Sequence, residues 1–113
     1  MDNNRLLLEI DKHIRDINRE VINPVIPELS LQDITPVTKM VAGVRASYLK
    51  ELFDIAAISA GEKPSVDQIR RLSELRHSYD ELVLAAQALE GAIQRGYLDV
   101  KGPAAMGDKG ANE

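Results

Sequence analysis

The feature that most constrains this chain is a run of seven apolar positions, spaced three and four residues apart, in its C-terminal half. These seam residues are Leu72, Leu75, Tyr79, Leu82, Ala86, Leu89 and Ile93. Such a heptad seam lies along one side of an α-helix and predicts a long helix that packs against other helices. The seam spans only about three heptads, and two other segments also carry apolar stripes, so packing within one chain is favoured over an intermolecular coiled coil.

The ends of this third helix are marked by local signals. Ser65 and Gln68 have the spacing of a capping box, which predicts a helix start at this point. Gly96 is the predicted stop, after about Arg95, because glycine readily adopts the left-handed conformation that ends many helices. The apolar stripe shifts near His77, which leaves open a break into two helices.

The first helix is predicted from about Asn4 to Ile22. Its apolar residues fall within one narrow arc at 100° per residue, and they are Leu6, Leu7, Ile10, Ile14, Ile17 and Val21. Pro24 ends it, because proline lacks the N–H and disfavours helix at the residue before it. Leu8 lies on the polar side, either as a single exposed leucine or as part of a contact surface. The connection up to Asp33 is expected to be irregular and to lie across the bundle.

The second helix is predicted to start at Thr35 and Pro36 and to stop at Gly61. Its apolar arc is so wide that two sides must be buried, either by two neighbouring helices or by one neighbour and a partner. Interfaces concentrate their binding energy in a few aromatic and arginine side chains surrounded by aliphatic ones. One edge of this arc has that composition and is the predicted partner surface. It consists of Arg45, Ala46, Leu49 and Phe53.

Two features of the second helix have alternative interpretations. Arg45 falls inside the apolar arc, so its charge must be paired or must reach water. It could pair internally with Glu20, Asp80 or Glu81, or it could reach an anionic group of a partner. Small residues also cluster there and allow close helix packing, within the fold or with an external helix. These are Ala42, Gly43, Ala46 and Ser47.

These patterns predict an all-α fold, an antiparallel bundle of three long helices, or of four if the third helix breaks. The bundle is expected to occupy residues 1–100 as one domain. Residues 101–113 contain three glycines and a proline with no apolar periodicity, which predicts a flexible tail.

Composition excludes several functions. The net charge of −4, with both signs interspersed, disfavours nucleic acid, which requires a basic face. No stretch has the length of a signal peptide or a membrane span, so a cytoplasmic location without membrane contact is expected. The chain has no cysteine, and His13 and His77 lie on different helices without ligand spacing, so we predict no metal, no cofactor and no catalytic residue.

Three stretches resemble a family of small helical accessory subunits found beside aminoglycoside-phosphotransferase-like acyl-CoA kinases, such as the hydroxyacyl-CoA kinase of levulinate catabolism. The stretches are residues 6–10 with 19–24, residues 40–44 with 49–52, and residues 92–99. The resemblance implies a non-catalytic subunit that binds a larger phosphotransferase chain in a hetero-oligomer. In such a complex, the residues for ATP and Mg²⁺ lie on the larger chain.

Two other functions remain open from the residues alone. The chain could be a self-associating structural or regulatory module, a homodimer through the heptad seam or the small-residue face. It could instead be a bundle that binds a small anionic ligand, with Arg45 as the anchor.

Overall fold

A computed structural model describes residues 3–101 and contains three helices and two short strands. In chain order these are α1 (Asn3–Ile22), β1 (Glu28–Leu29), α2 (Leu31–Ser59), α3 (Val66–Gln94) and β2 (Asp99–Val100). The prediction of a mostly helical chain with three long helices is confirmed. α3 is continuous through His77, so the four-helix alternative is wrong. The predicted tail lies outside the described residues, apart from Lys101.

The contacts of the chain group it into two units. The hairpin unit is Thr35–Gln87 and contains most of α2 and α3. The terminal unit is Met1–Ile34 with Ala88–Glu113, and its described part contains α1, both strands and the last residues of α3.

The start of α2 differs from the prediction. The helix begins at Leu31, and Pro36 lies inside it. The Asp33 carboxylate closes the start of the helix, because it accepts hydrogen bonds from the backbone N–H and the hydroxyl of Ser30, at 2.8 and 3.1 Å. These hydrogen bonds also hold the pKa of Asp33 below its usual range. Pro36 lies in the second turn of the helix, where its missing N–H removes the helical hydrogen bond to the carbonyl of Gln32.

The end of α2 is formed by two residues in the left-handed conformation. Ala60 has φ 52° and Gly61 has φ 79°. The Gly61 N–H donates to the Ala56 carbonyl and the Ala60 N–H to the Ala57 carbonyl, both at 3.3 Å, which is the Schellman arrangement. The predicted stop at Gly61 is therefore one residue late, since Ala60 takes the position where glycine is usual.

The start of α3 confirms the predicted capping box. The Ser65 N–H donates to the Gln68 side-chain oxygen at 2.7 Å, and the Gln68 N–H donates to the Ser65 hydroxyl at 3.1 Å. The same Gln68 oxygen accepts a hydrogen bond from the Ser59 hydroxyl at 3.5 Å, which ties the end of α2 to the start of α3.

In the hairpin unit, one side of α2 packs against the seam of α3. The rings of Tyr48 and Tyr79 stack with their centroids 5.8 Å apart, and Arg71 donates to Glu51 at 3.1 Å. Ile55 is the most buried residue on this side of α2, with 5% of its surface exposed. The five seam residues of this unit, from Leu72 to Ala86, are half-buried, and so are Leu89 and Ile93 in the terminal unit, so the side of α3 that packs is predicted correctly.

The terminal unit is held by a parallel ladder between the two strands, with Glu28 opposite Asp99 and Leu29 opposite Val100. The Lys101 N–H extends this ladder with a 2.8 Å hydrogen bond to the Leu29 carbonyl. The prediction that the connection after α1 is irregular is therefore wrong at β1. A two-residue strand has too little alternation for a sequence pattern to reveal it.

The end of α3 brings α1 to the ladder. Gly96, with φ 74°, ends α3 as predicted, and the Tyr97 N–H donates to the Ala92 carbonyl at 2.9 Å. Arg19 of α1 donates to the Gly96 carbonyl at 2.9 Å and to the Asp99 carboxylate at 2.7 Å. One guanidinium thus fastens α1 both to the end of α3 and to β2.

Candidate functional site

The candidate site is the exposed side of α2 that begins at Arg45, at the edge of the contact with α3, and continues away from α3; we name it the outer face. It consists of the four predicted partner-binding residues Arg45, Ala46, Leu49 and Phe53, with Ala42 one turn earlier. At 100° per residue these side chains fall within an arc of about 100°. All five are exposed, and Phe53 has 69% of its surface accessible.

The inner face of α2 shows why the outer face is left open. Ile55 lies only two residues after Phe53 but projects toward α3, and it is 5% exposed. Within the hairpin unit a single helix neighbours α2, and one neighbour covers only part of an apolar arc this wide. The arc thus divides into a covered inner half and an uncovered outer half.

Arg45 is held by aromatic contacts. Its Nε donates to the Tyr79 hydroxyl at 3.3 Å, and its guanidinium carbon lies 5.5 Å from the centre of the Tyr79 ring. Within residues 3–101, no carboxylate forms an ion pair with Arg45, so of the two alternatives the internal pair with Glu20, Asp80 or Glu81 is wrong. The seam tyrosine carries a hydroxyl within reach of α2, a signal that sequence reasoning missed.

Arg45 keeps most of its hydrogen-bonding capacity for other groups. A guanidinium has five N–H donors in a fixed fork, and the bond to Tyr79 uses one of them. Because a cation over an aromatic face is attracted to the ring, Tyr79 also restricts where this exposed side chain points. The outer face therefore presents an oriented cation one turn before Leu49 and two turns before Phe53.

The small residues of α2 are also uncovered. Ala42, Gly43, Ala46 and Ser47 are all exposed. A Cβ added at Gly43 would meet no atom within 4 Å, so no described part of the chain packs closely there. The interpretation that these residues serve the chain's own packing is not supported, and the surface remains accessible to an external helix.

The outer face itself carries one cation, Arg45, and otherwise only apolar side chains. In the described part of the chain, no group of three His, Cys, Asp or Glu residues could hold a metal ion. His13 and His77 are both exposed and lie in different units. The pKa of Lys50 is raised by its 2.7 Å hydrogen bond to Asp54, a local pair on the surface of α2.

A second exposed apolar surface lies on α1. Its predicted stripe of six aliphatic residues is uncovered, with 42–64% of each residue accessible. The sequence predicted the stripe correctly but not its exposure, because periodicity shows which side of a helix is apolar and not what covers it.

Comparison with known proteins adds no relative: no family model, no curated protein and no solved structure matches this chain. The resemblance to the accessory-subunit family therefore rests on the three sequence stretches alone. None of the helices between residues 3 and 101 combines the length and the apolar content that crossing a bilayer requires.

Proposed function

We propose that this protein is a non-catalytic accessory subunit that binds a larger protein chain through the outer face of α2. The observation that carries the proposal is an aromatic side chain, Phe53, which is 69% exposed on the same face of α2 as an oriented arginine two turns earlier. Phe and Arg are enriched at interfaces, whereas an exposed phenylalanine contributes little to the stability of an isolated helix.

The chemistry of the outer face specifies the surface that it would bind. Phe53 requires an apolar pocket, and the small side chains of Ala42 and Ala46 allow a partner helix to approach closely. Arg45 requires a carboxylate at the edge of that pocket, because a guanidinium forms two parallel hydrogen bonds with a carboxylate. Its contact with Tyr79 reduces the conformational entropy lost on binding.

The identity of the partner follows from the family resemblance. It implies a cytoplasmic aminoglycoside-phosphotransferase-like kinase that acts on a hydroxyacyl-CoA. In this complex the larger chain carries the ATP and Mg²⁺ residues, and the accessory subunit stabilises it or makes it active.

The finer architecture is part of the same proposal. The subunit would be an antiparallel helical bundle over residues 1–100. The hairpin contacts support the antiparallel order of α2 and α3, since Tyr48 meets Tyr79 whereas Glu51, further along α2, meets Arg71, earlier on α3.

The test is binding of the purified chain to the kinase subunit, measured for the wild type, Phe53→Ala and Arg45→Ala. We expect each variant to bind at least about tenfold more weakly, as truncated interface anchors do. Ile58→Ala is the matched control, because Ile58 is 76% exposed on α2 and lies outside the outer face.

Far-UV circular dichroism of each variant, recorded beside the binding measurement, shows whether the helices are intact. Wild-type affinity for Phe53→Ala would refute the proposed surface. An equal loss for Ile58→Ala would show that the outer face has no special role. Failure of the wild type to bind the kinase would reject the partner that the resemblance implies.

A further inference from the structure

We propose that the apolar stripe of α1 binds the same stripe of a second copy of this chain. The α1 stripe consists of Leu6, Leu7, Ile10, Ile14, Ile17 and Val21, which are 42–64% exposed. It shares no residue with the outer face of α2, so this inference is independent of the proposed kinase partner.

The contacts that fasten α1 leave this stripe uncovered. Arg19 binds Gly96 and Asp99, and Arg15 lies beside Gly96, with its Cδ 3.4 Å from the position that a Cβ there would take. At 100° per residue, Arg15 and Arg19 lie on the side of α1 opposite Ile10 and Ile17. The helix is thus anchored by its polar side, and its apolar side is left for another molecule.

The spacing of the stripe fits an identical helix. Leu7, Ile10, Ile14, Ile17 and Val21 alternate in steps of three and four residues, which is the spacing of a coiled-coil seam. In such a seam each side chain enters a gap between four side chains of the facing helix, so the facing helix needs the same spacing. A second copy of this chain carries the same spacing, because its α1 has the same sequence.

The charges of α1 favour an uncharged partner surface. On the far side of the helix, Arg5 pairs with Glu9 at 3.8 Å and Lys12 with Asp16 at 2.9 Å. The hydrogen bond from Lys12 lowers the pKa of Asp16, so this carboxylate is already engaged within the helix.

The positions beside the stripe carry few charges. On one side they include Asp11 and Asn18, and on the other His13 and Glu20. Two identical stripes therefore meet without a dense row of like charges, and a strongly acidic or basic partner finds little to pair with.

The area of the stripe sets the expected strength of association. From Leu6 to Val21 it is about 22 Å long at 1.5 Å per residue. Six aliphatic side chains that are roughly half exposed would bury on the order of 1,000 Å² between two copies, near the lower limit for specific interfaces. We therefore expect reversible association in the micromolar range, as is usual for small interfaces.

The test is the mass of the purified full chain, measured by analytical ultracentrifugation from about 5 μM to about 500 μM. We expect a single chain of 12.5 kDa at the low end and at least twice that mass at the high end. Three or more copies are also consistent, since isoleucine at Ile10 and Ile17 favours assemblies larger than dimers.

Two charged variants on α1 locate the interface. Ile14→Glu places a carboxylate in the middle of the stripe and should raise the midpoint concentration at least about tenfold. Leu8→Glu is the matched control, because Leu8 is 69% exposed and lies outside the stripe, and it should leave the midpoint unchanged. Phe53→Ala should also leave it unchanged, which separates this interface from the outer face of α2.

The inference is overturned if the wild type stays at the mass of one chain at about 500 μM, or if Leu8→Glu weakens association as much as Ile14→Glu does. It is also overturned if Ile14→Glu loses its helical circular dichroism at the lowest concentration, because the stripe would then be covered within its own chain. Ile17→Ala is a milder change that tests whether the stripe is covered within its own chain. If the stripe is free, this variant should weaken association and keep full helicity.

Discussion

Two substitutions on α2, only two residues apart, are expected to differ greatly in how far they lower stability. Ile55→Ala removes a side chain that is 5% exposed and faces α3, whereas Phe53→Ala removes one that is 69% exposed and faces away. Both changes put alanine on the same helix, so the difference between them reports the packing of the two faces.

The magnitudes follow from the exposed fractions. Truncation of a buried isoleucine to alanine costs about 2–5 kcal/mol in the free energy of unfolding. The higher helix propensity of alanine returns about 0.4 kcal/mol of this. Full burial of a phenylalanine contributes about 1.5–3 kcal/mol. With less than a third of Phe53 covered, its share is below about 1 kcal/mol, and the propensity gain offsets half of that or more.

We therefore expect Ile55→Ala to lower the free energy of unfolding by about 2–4 kcal/mol and Phe53→Ala to change it by less than about 0.5 kcal/mol. The assay is urea unfolding followed by far-UV circular dichroism, at about 5 μM to limit self-association. A loss above about 1 kcal/mol for Phe53→Ala would mean that the outer face is covered within the chain. A loss below that for Ile55→Ala would mean that the inner face is not the core.

Four further substitutions concern helix ends and are checked by the same unfolding assay. Ser65→Ala removes the cap of α3 and should cost about 1 kcal/mol, measured as a lower urea midpoint. Ala60→Gly should raise stability by up to about 1 kcal/mol, because glycine accepts φ 52° without strain, whereas Gly96→Ala, at φ 74°, should lower it. The hydrogen bonds from Ser30 hold the pKa of Asp33 below its ordinary value of 3.8. The ionised carboxylate therefore stabilises the fold fully above pH 3.8, and this contribution is lost as the pH falls through the lowered pKa of the folded state. Asp33→Asn should remove this part of the acid dependence, and an unchanged pH profile would show that the cap does not form.

The sequence predicts the helices well because their signals are local. The box of Ser65 and Gln68 and the stop at Gly96 act through hydrogen bonds within one turn, so their residue types suffice. The start of α2 is missed because two local signals compete. Thr35 with Pro36 satisfies the rules for a helix start, but Ser30 and Asp33 do so one turn earlier, and the chain uses the earlier pair.

The candidate surfaces are harder to predict, because exposure depends on contacts between distant segments. The apolar periodicity of α1 identifies the stripe of Ile10, Ile14 and Ile17, but the bonds of Arg19 on the opposite side decide how that helix is anchored. Likewise, composition singles out Arg45, but its partner is a tyrosine on another helix. A phenol among seam residues gives no charge signal that would reveal such a pairing.

The short ladder between β1 and β2 has a consequence for synthesis. It joins Leu29 to Val100, so the terminal unit cannot close until nearly the whole described chain has left the ribosome. The hairpin unit needs nothing beyond Gln87 and can fold earlier. A chain that has emerged from the ribosome only as far as Leu98 therefore carries every residue of the hairpin unit, whereas Arg19 still lacks the Asp99 carboxylate that it binds. During that interval the first apolar surface to be synthesised is the last to be anchored.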